Sequence, residues 1–465
     1  MLTFVAFLFA LTLLVSVHEW GHYRVAVALG VKVLRFSVGL GKPVWRKTLQ
    51  RHGQQTEFTI GCLPLGGYVL MLDETNGPVS AQEAPQAFNR QPLWARSLIV
   101  LAGPMANLAL AVVLLAGAAW WGQNEPVAVL STPFASSAAA KAGLVGGEKV
   151  VAAGLVEHDA PDAAALEPVD SFAALPPQAL QAAREAQDWV LEIQDAESSA
   201  GVTRRVRLQF AHLPPFSSLE KVSPMALWGL GGPRTAAIVV RTEEGTPAAL
   251  AGFKPGDLVL KLNGRSVPDA QFLRQAIRES VVGGVAVPLA FDVVRDGQKL
   301  HMEAQPAVVM QASQAIGRMG FAVGATPTLA WVEHGVLDSV VLGAQKVAAM
   351  TQLTAQMVGE LVTGQGSLDQ LGGPLSIADQ AGRSAQLGFT AYLSFLGFLS
   401  ISLGVLNLLP LPMLDGGHLM YYLWELLTGK PVSADGVHVL QKVGLMLLVA
   451  VMVTALVNDG IRLWR

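Results

Sequence analysis

Cysteine is almost missing from this chain. Cys62 stands alone, so no intramolecular disulfide can form. Its expected role is that of a small apolar residue rather than a ligand. Charge is scarce as well: 14% of the 465 residues are Asp, Glu, Lys or Arg, against 52% hydrophobic. That balance argues against an ordinary soluble protein and for an integral membrane protein with soluble parts. No basic block stands out, and 32 Lys and Arg face 35 Asp and Glu. Nucleic acid is therefore not an expected partner. A single domain is not expected at this length.

What the chain does have is long apolar runs. Four read as membrane spans: Leu2–Val17, Ser97–Trp121, Phe389–Leu411 and Val439–Val457. The first runs directly into His18-Glu19-Trp20-Gly21-His22. It has no basic start, and no small-x-small cleavage site precedes His18, so it is expected to be retained. Two histidines four apart share one helix face and can reach one ion. Glu19 beside them can act as a base on water held by that ion. Ionisable groups at membrane depth are costly and usually functional.

The loop from Tyr23 to Arg96 carries nine Lys or Arg against four Asp or Glu, which marks it as cytoplasmic. Within it Val33–Val38 and Thr56–Ile60 read as strands. Gly39–Pro43 and Pro64–Tyr68 read as turns. An edge strand here could hold an extended peptide, or the hairpin could be purely structural. In the second span Asn107 needs a partner, either across to another helix or in the site itself.

Residues 122–388 hold no convincing span and would lie outside. They contain a repeat at an offset of 109: Ala142-Gly143-Leu144 with Gly147-Glu148, and Ala251-Gly252-Phe253 with Gly256-Asp257. The second copy continues through Leu258–Leu262 into an Asn263-Gly264 turn. The glycine-rich stretch Leu227–Gly232 reads as its upstream loop. The first copy is eroded, with an insertion at Glu157–Pro168. Val336–Val362 has helical spacing and is either an interfacial or a packed helix; Leu371–Leu375 would end that pattern.

The third span ends in Asn407-Leu408-Leu409-Pro410-Leu411-Pro412-Met413-Leu414-Asp415-Gly416-Gly417-His418. Asp415 can supply a third ligand, with His418 the competitor. The prolines break the helix just before it. One return span separates the first and third spans, so both run the same way. Their C-terminal ends meet at one membrane face, as a shared metal requires.

The second repeat copy resembles a PDZ domain. Taken with HExxH, Pro64-Leu65-Gly66-Gly67-Tyr68-Val69, Ala102-Gly103-Pro104-Met105-Ala106-Asn107 and Asn407–Leu419, the whole chain resembles the site-2 protease family of intramembrane zinc metalloproteases, in its Gram-negative form with tandem PDZ domains. Trp20 departs from the Phe more usual there. The resemblance implies Zn2+ held by His18, His22 and Asp415, Glu19 as catalytic base, and Asn407 as substrate-binding. It implies a polytopic α-helical membrane protein with four transmembrane helices, a small cytoplasmic-side β region and two PDZ-like α+β domains outside. The expected layout is 1–22 first span, 23–96 loop with membrane-associated strands, 97–121 second span, 122–222 and 223–310 PDZ-like domains, 311–388 linker with an amphipathic helix, 389–414 third span, 415–438 cytoplasmic loop and 439–458 fourth span. Expected partners are the lipid bilayer, single-span membrane proteins of the anti-sigma-factor type, and a peptide or protein ligand of the PDZ domains. The expected location is a bacterial inner membrane, with the site near the cytoplasmic face and the PDZ domains periplasmic. A PDZ-bearing receptor or scaffold with a structural metal is the rival reading, and a zinc transporter a third.

Overall fold

A computed structural model of the protein describes residues 1–51, 54–157, 166–195, 202–213, 223–311, 314–362 and 373–464. The chain divides into two compact units, Met1–Gln123 with Glu333–Arg465, and Asn124–Val332. Its longer helices are α1 (Leu2–Ala28), α2 (Leu93–Trp121), α3 (Leu175–Arg184), α4 (Ala270–Arg278), α5 (Val336–Val362), α6 (Pro374–Leu387), α7 (Phe389–Asn407), α8 (Asp415–Thr428) and α9 (Ala434–Trp464).

In the first unit, α1, α2, α7 and α9 are long and apolar enough to cross a membrane. α1 is apolar nearly all round, yet its buried residues follow a spacing of four: Ala6, Ala10, Leu14, His18 and His22. Residues four apart stack on one helix face, so the two histidines extend a packing stripe. The helix continues past the motif to Ala28, where residue 22 was the expected end. On α2 the buried set Ala95, Ile99, Gly103, Asn107, Ala111, Leu115 and Ala119 has the same spacing. These are mostly small residues, and they let neighbouring helices approach closely.

Further boundaries differ from the sequence expectation. α2 begins at Leu93, directly after Pro92. α7 stops at Asn407, short of 414, because Pro410 and Pro412 lack the N–H groups a continued helix needs. The expected loop 415–438 contains α8 and the start of α9. α5 is a packed helix. Its Val347 joins Ala111 and Leu115 of α2 and Ile401 and Val405 of α7 in one apolar cluster. Leu371 and Gly372, expected to end its pattern, lie outside the described residues. Asp459 near the end of α9 is buried, and its carboxylate accepts from the backbone N–H of Gly373, Leu375 and Ser376. It thereby satisfies the first orphan donors of α6.

The loop strands are longer than expected: β1 spans Val33–Arg51 and β2 Gln54–Met71. The stretches read as turns are irregular parts of these strands, with register shifts around Val38, Leu40 and Pro43. Arg35, Phe36, Ser37 and Val38 pair with Leu70, Val69, Tyr68 and Gly67 on one side, and with Glu57, Phe58, Thr59 and Ile60 on the other. Gly67–Met71 therefore forms an edge. Cys62 is exposed rather than packed.

The second unit is built from two copies of one arrangement. Its first sheet runs Glu167–Pro168, Lys149–Val156, Asp188–Gln194, Thr203–Leu208; its second runs Arg265–Ser266, Leu258–Leu262, Leu289–Arg295, Gln298–Ala304. The offset of 109 recurs in the hydrogen bonds. Val150 N donates to Ala128 O as Val259 N does to Ala237 O. Ala139 N donates to Trp228 O, and Ala248 N to Met319 O. Gly229 and Gly320 sit at matching turns with φ of 85° and 81°. The first core takes in Met225, Leu227, Trp228 and Leu230. The stretch Leu227–Gly232 thus belongs to the first copy, and the second has its own turn at Met319-Gly320-Phe321. The error was one of order: each copy's glycine turn comes after its sheet. Most of the Glu157–Pro168 insertion lies outside the described residues. Val127 N donates to Thr328 O at 2.9 Å, so the two ends of this unit lie side by side.

Asp257 is fully buried in the second copy and accepts two hydrogen bonds from Arg295, at 2.6 and 2.7 Å, and one from Lys254 N. Burial alone would raise its carboxyl pKa; the guanidinium and the amide outweigh burial and hold it below the usual range. A carboxyl depressed on folding stabilises above its unfolded value of about 4, and that contribution is lost as pH falls. Asp257→Asn should therefore cost about 2 kcal/mol. In native-state hydrogen exchange on the whole protein, the loss should appear in the strands at 258–304 at neutral pH and shrink towards pH 3.

Candidate active site

α1 and α2 meet where His18 and His22 face the middle of α2. His22 Nδ1 lies 2.8 Å from the Ile99 carbonyl oxygen. That carbonyl only accepts, so Nδ1 carries the hydrogen and Nε2 keeps its lone pair. His18 Nε2 lies 3.1 Å from His22 Nε2, and Asn107 meets the far side of the His18 ring. Pro104 withholds one N–H from α2 in the turn that receives the rings.

The third group arrives from the far end of the chain. After α7 stops, the segment Leu408–Leu414 folds tightly onto the start of α8. A Cβ on Gly416 or Gly417 would collide with the carbonyls of Leu408, Leu409 and Leu411. The two glycines thus let the chain turn hard enough to make Asp415 the first residue of α8, where the helix dipole favours a carboxylate. Farther along α8, Arg96 of α2 donates to Glu425 at 2.7 Å and lies 5.0 Å over the Tyr422 ring. Burial pushes the Tyr422 hydroxyl up to about 12, keeping it neutral.

Asp415 Oδ2 lies 3.1 Å from His18 Nε2 and 3.6 Å from His22 Nε2, and it is buried with no hydrogen-bond donor among the described residues. Two imidazole nitrogens and a carboxylate oxygen, all within 4.8 Å of one another, form a metal-ligand set. Two histidines and one carboxylate are a common zinc donor set, so these residues fit Zn2+. His418, the competing ligand, is not in the cluster.

Glu19 lies beside the three ligands and lines two cavities together with Asp415. One, of about 430 Å³, includes His418, Tyr422 and Val69–Met71 of the β2 edge. The other, of about 260 Å³, includes Asn407, Gly66 and Gly67. The edge strand thus passes from one cavity to the other. At Gly67 an added Cβ would stand 3.1 Å from Glu19 Cγ. The expected site residues His18, Glu19, His22, Asp415 and Asn407 are all brought together. Asn107 meets both roles open to it from sequence, since its bond to His18 crosses from α2 to α1 and reaches the site. Arg96 and α8 were missed; the i,i+3 pair Tyr422–Glu425 facing one arginine left no sequence signal.

Gly103 supplies the space for both rings. A Cβ there would clash with His22 Nε2 and stand 2.8 Å from His18 Cε1. Gly103→Ala should leave the helices intact by circular dichroism while lowering bound zinc, measured per purified chain, below one-tenth of the wild-type content.

Residues 6–451 match the model of peptidase family M50. A protein of Ralstonia nicotianae named as a zinc metalloprotease is 35% identical over 474 aligned residues, covering 100% of this chain and 99% of its own. One of Neisseria meningitidis with the same description is 37% identical over 469, covering 99% of each. The regulator of sigma-E protease RseP of Escherichia coli is 33% identical over 469, covering 98% of each. With a ligand set for zinc, a carboxylate beside it and helices apolar enough to span a bilayer, this chain is a site-2-type zinc metalloprotease and belongs to peptidase family M50.

Proposed function

We propose that the enzyme hydrolyses a peptide bond in or near the membrane-spanning segment of single-span proteins. The observation that carries this reading is the convergence of His18, His22 and Asp415 beside Glu19, on helices α1 and α8 of an apolar bundle. His18, His22 and Asp415 would hold the metal. Zinc held there would supply Lewis acidity, easing ionisation of water and polarising the scissile carbonyl. Glu19 then accepts a proton from the attacking water and returns it to the leaving nitrogen. A helical substrate hides its backbone hydrogen bonds and must unwind first. The Gly67–Met71 edge offers backbone pairing to the unwound stretch, and Asn407 lines the cavity where it would lie. Only three protein groups would hold the metal, fewer than the four protein ligands of a structural zinc, which disfavours the receptor reading.

The substrates we favour are membrane proteins already trimmed on their outer side, of the anti-sigma-factor type, with signal-peptide remnants as a second group. This fits an envelope stress pathway in a bacterial inner membrane. The positive loop 23–96 supports a site near the cytoplasmic face and periplasmic repeats. The repeats have PDZ-like character: a groove of about 620 Å³ runs between α4 and Phe321–Val323, and Arg274 and Arg278 line it. Such a groove suits an extended peptide, while the bulk of two folded repeats suits a size filter.

Two outcomes test this reading. Purified Glu19→Gln protein should keep its zinc and lose cleavage of single-span proteins at least a thousandfold, the same proteins being cut by wild type only without chelator; turnover by the variant would sink the mechanism. Because Val127 and Thr328 are hydrogen-bonded neighbours, the segment between them can be replaced by a short linker. That deletion should permit cleavage of substrates with intact outer domains. If only trimmed substrates are cut, the filter fails.

A further inference from the structure

One buried polar side chain at the site has no part in the mechanism. Asn107 has no exposed surface. Its Nδ2 lies 3.2 Å from His18 Nδ1, while its Oδ1 has no partner among the described residues. An unpaired acceptor beside an aromatic nitrogen calls for a reason.

The neighbouring histidine supplies it. His22 gives its Nδ1 hydrogen to a carbonyl and turns Nε2 to the ligand cluster. The same must hold for His18: its Nε2 faces His22 Nε2 and Asp415 Oδ2, both 3.1 Å away. A hydrogen on that nitrogen would fill the space where a cation binds. The hydrogen therefore belongs on Nδ1, and Nδ1 then needs an acceptor rather than an amide N–H. A half-turn of the Asn107 amide exchanges its nitrogen and oxygen without altering the shape of the side chain. It brings the unpaired Oδ1 onto Nδ1–H.

We propose that Asn107 is the positioning residue of His18: its amide oxygen accepts the Nδ1 hydrogen, fixing the tautomer and ring orientation that present Nε2 to zinc. This rests on the reading of His18 as a zinc ligand. Metal-bound imidazoles commonly donate their other N–H to such an oxygen, and removing the partner typically lowers metal affinity 10–100-fold. Asn107 is well held for the task. Ser400 of α7 donates to its backbone carbonyl at 2.8 Å, so a third helix fixes the turn from which the amide projects.

The test is zinc affinity of the full-length protein, measured by chelator competition, with the visible spectrum of the cobalt form as a second readout. Asn107→Leu keeps the bulk and removes the acceptor; it should bind zinc about 10–100-fold more weakly and shift the cobalt bands. Asn107→Asp keeps an acceptor oxygen and should bind within a few-fold of wild type. A merely structural role gives the reverse order, because a buried leucine is tolerated and a buried carboxylate is not. Wild-type affinity in Asn107→Leu, or lost affinity in Asn107→Asp, overturns the proposal. His18→Ala separates it from the reading beneath: if that variant binds zinc as tightly as wild type, the ligand assignment fails and this inference with it.

Discussion

Three electron-pair donors, two imidazole nitrogens and one carboxylate oxygen, meet in the interior of an apolar helix bundle within 4.8 Å of one another. Two imidazole nitrogens and one carboxylate oxygen repel unless a cation joins them. Around this point the membrane-side unit is arranged in detail. Small residues on the buried stripe of α2, Gly103 above all, let the rings lie against it. The proline-broken segment after α7 and the two glycines at the head of α8 deliver the carboxylate. The Arg96–Glu425 pair holds α8 against α2 at a second point, so Asp415 projects from an element fixed along its length.

The second unit answers to a different demand. Each repeat closes its own apolar core, and each uses a buried acid, Glu148 or Asp257, to collect the backbone N–H groups of the turn before its first sheet strand. The copies have diverged in what balances that acid. Asp257 is met by Arg295 in direct contact, whereas Arg204 stands 4.0 Å from Glu148. Thr132 of the first copy donates to Asp269, which also caps α4 of the second, so the two copies share a polar joint.

Much of the site was legible because its signals are local or depend on parity. His18 and His22 are four apart on a helix, and counting spans puts Asp415 at the same face. Val336–Val362 was legible as a helix from its spacing, but its packing on α2 and α7 was not, since its charges permitted an interface equally well. What escaped depended on distant partners. α8 reads as a loop because Asp-Gly-Gly signals a turn, and its helix is evident only from the packing of Leu408–Leu411 on the two glycines and of Arg96 on Tyr422 and Glu425. The glycine turn at Met319–Phe321 escaped because the repeat was expected to begin with such a turn, whereas the chain closes with it. Asn107 has two defensible roles in sequence, and the crossing of α1 and α2 joins them in one contact, with His18.

The order of the ligands along the chain has a consequence for biosynthesis. His18, Glu19 and His22 leave the ribosome well before Asp415, which emerges only after the second span and both repeats have been made. Until then the chain carries the two histidines and Glu19 but not the carboxylate that completes the cluster. The cluster is therefore a property of the whole membrane-side unit, which closes only when its C-terminal helices pack against its N-terminal ones.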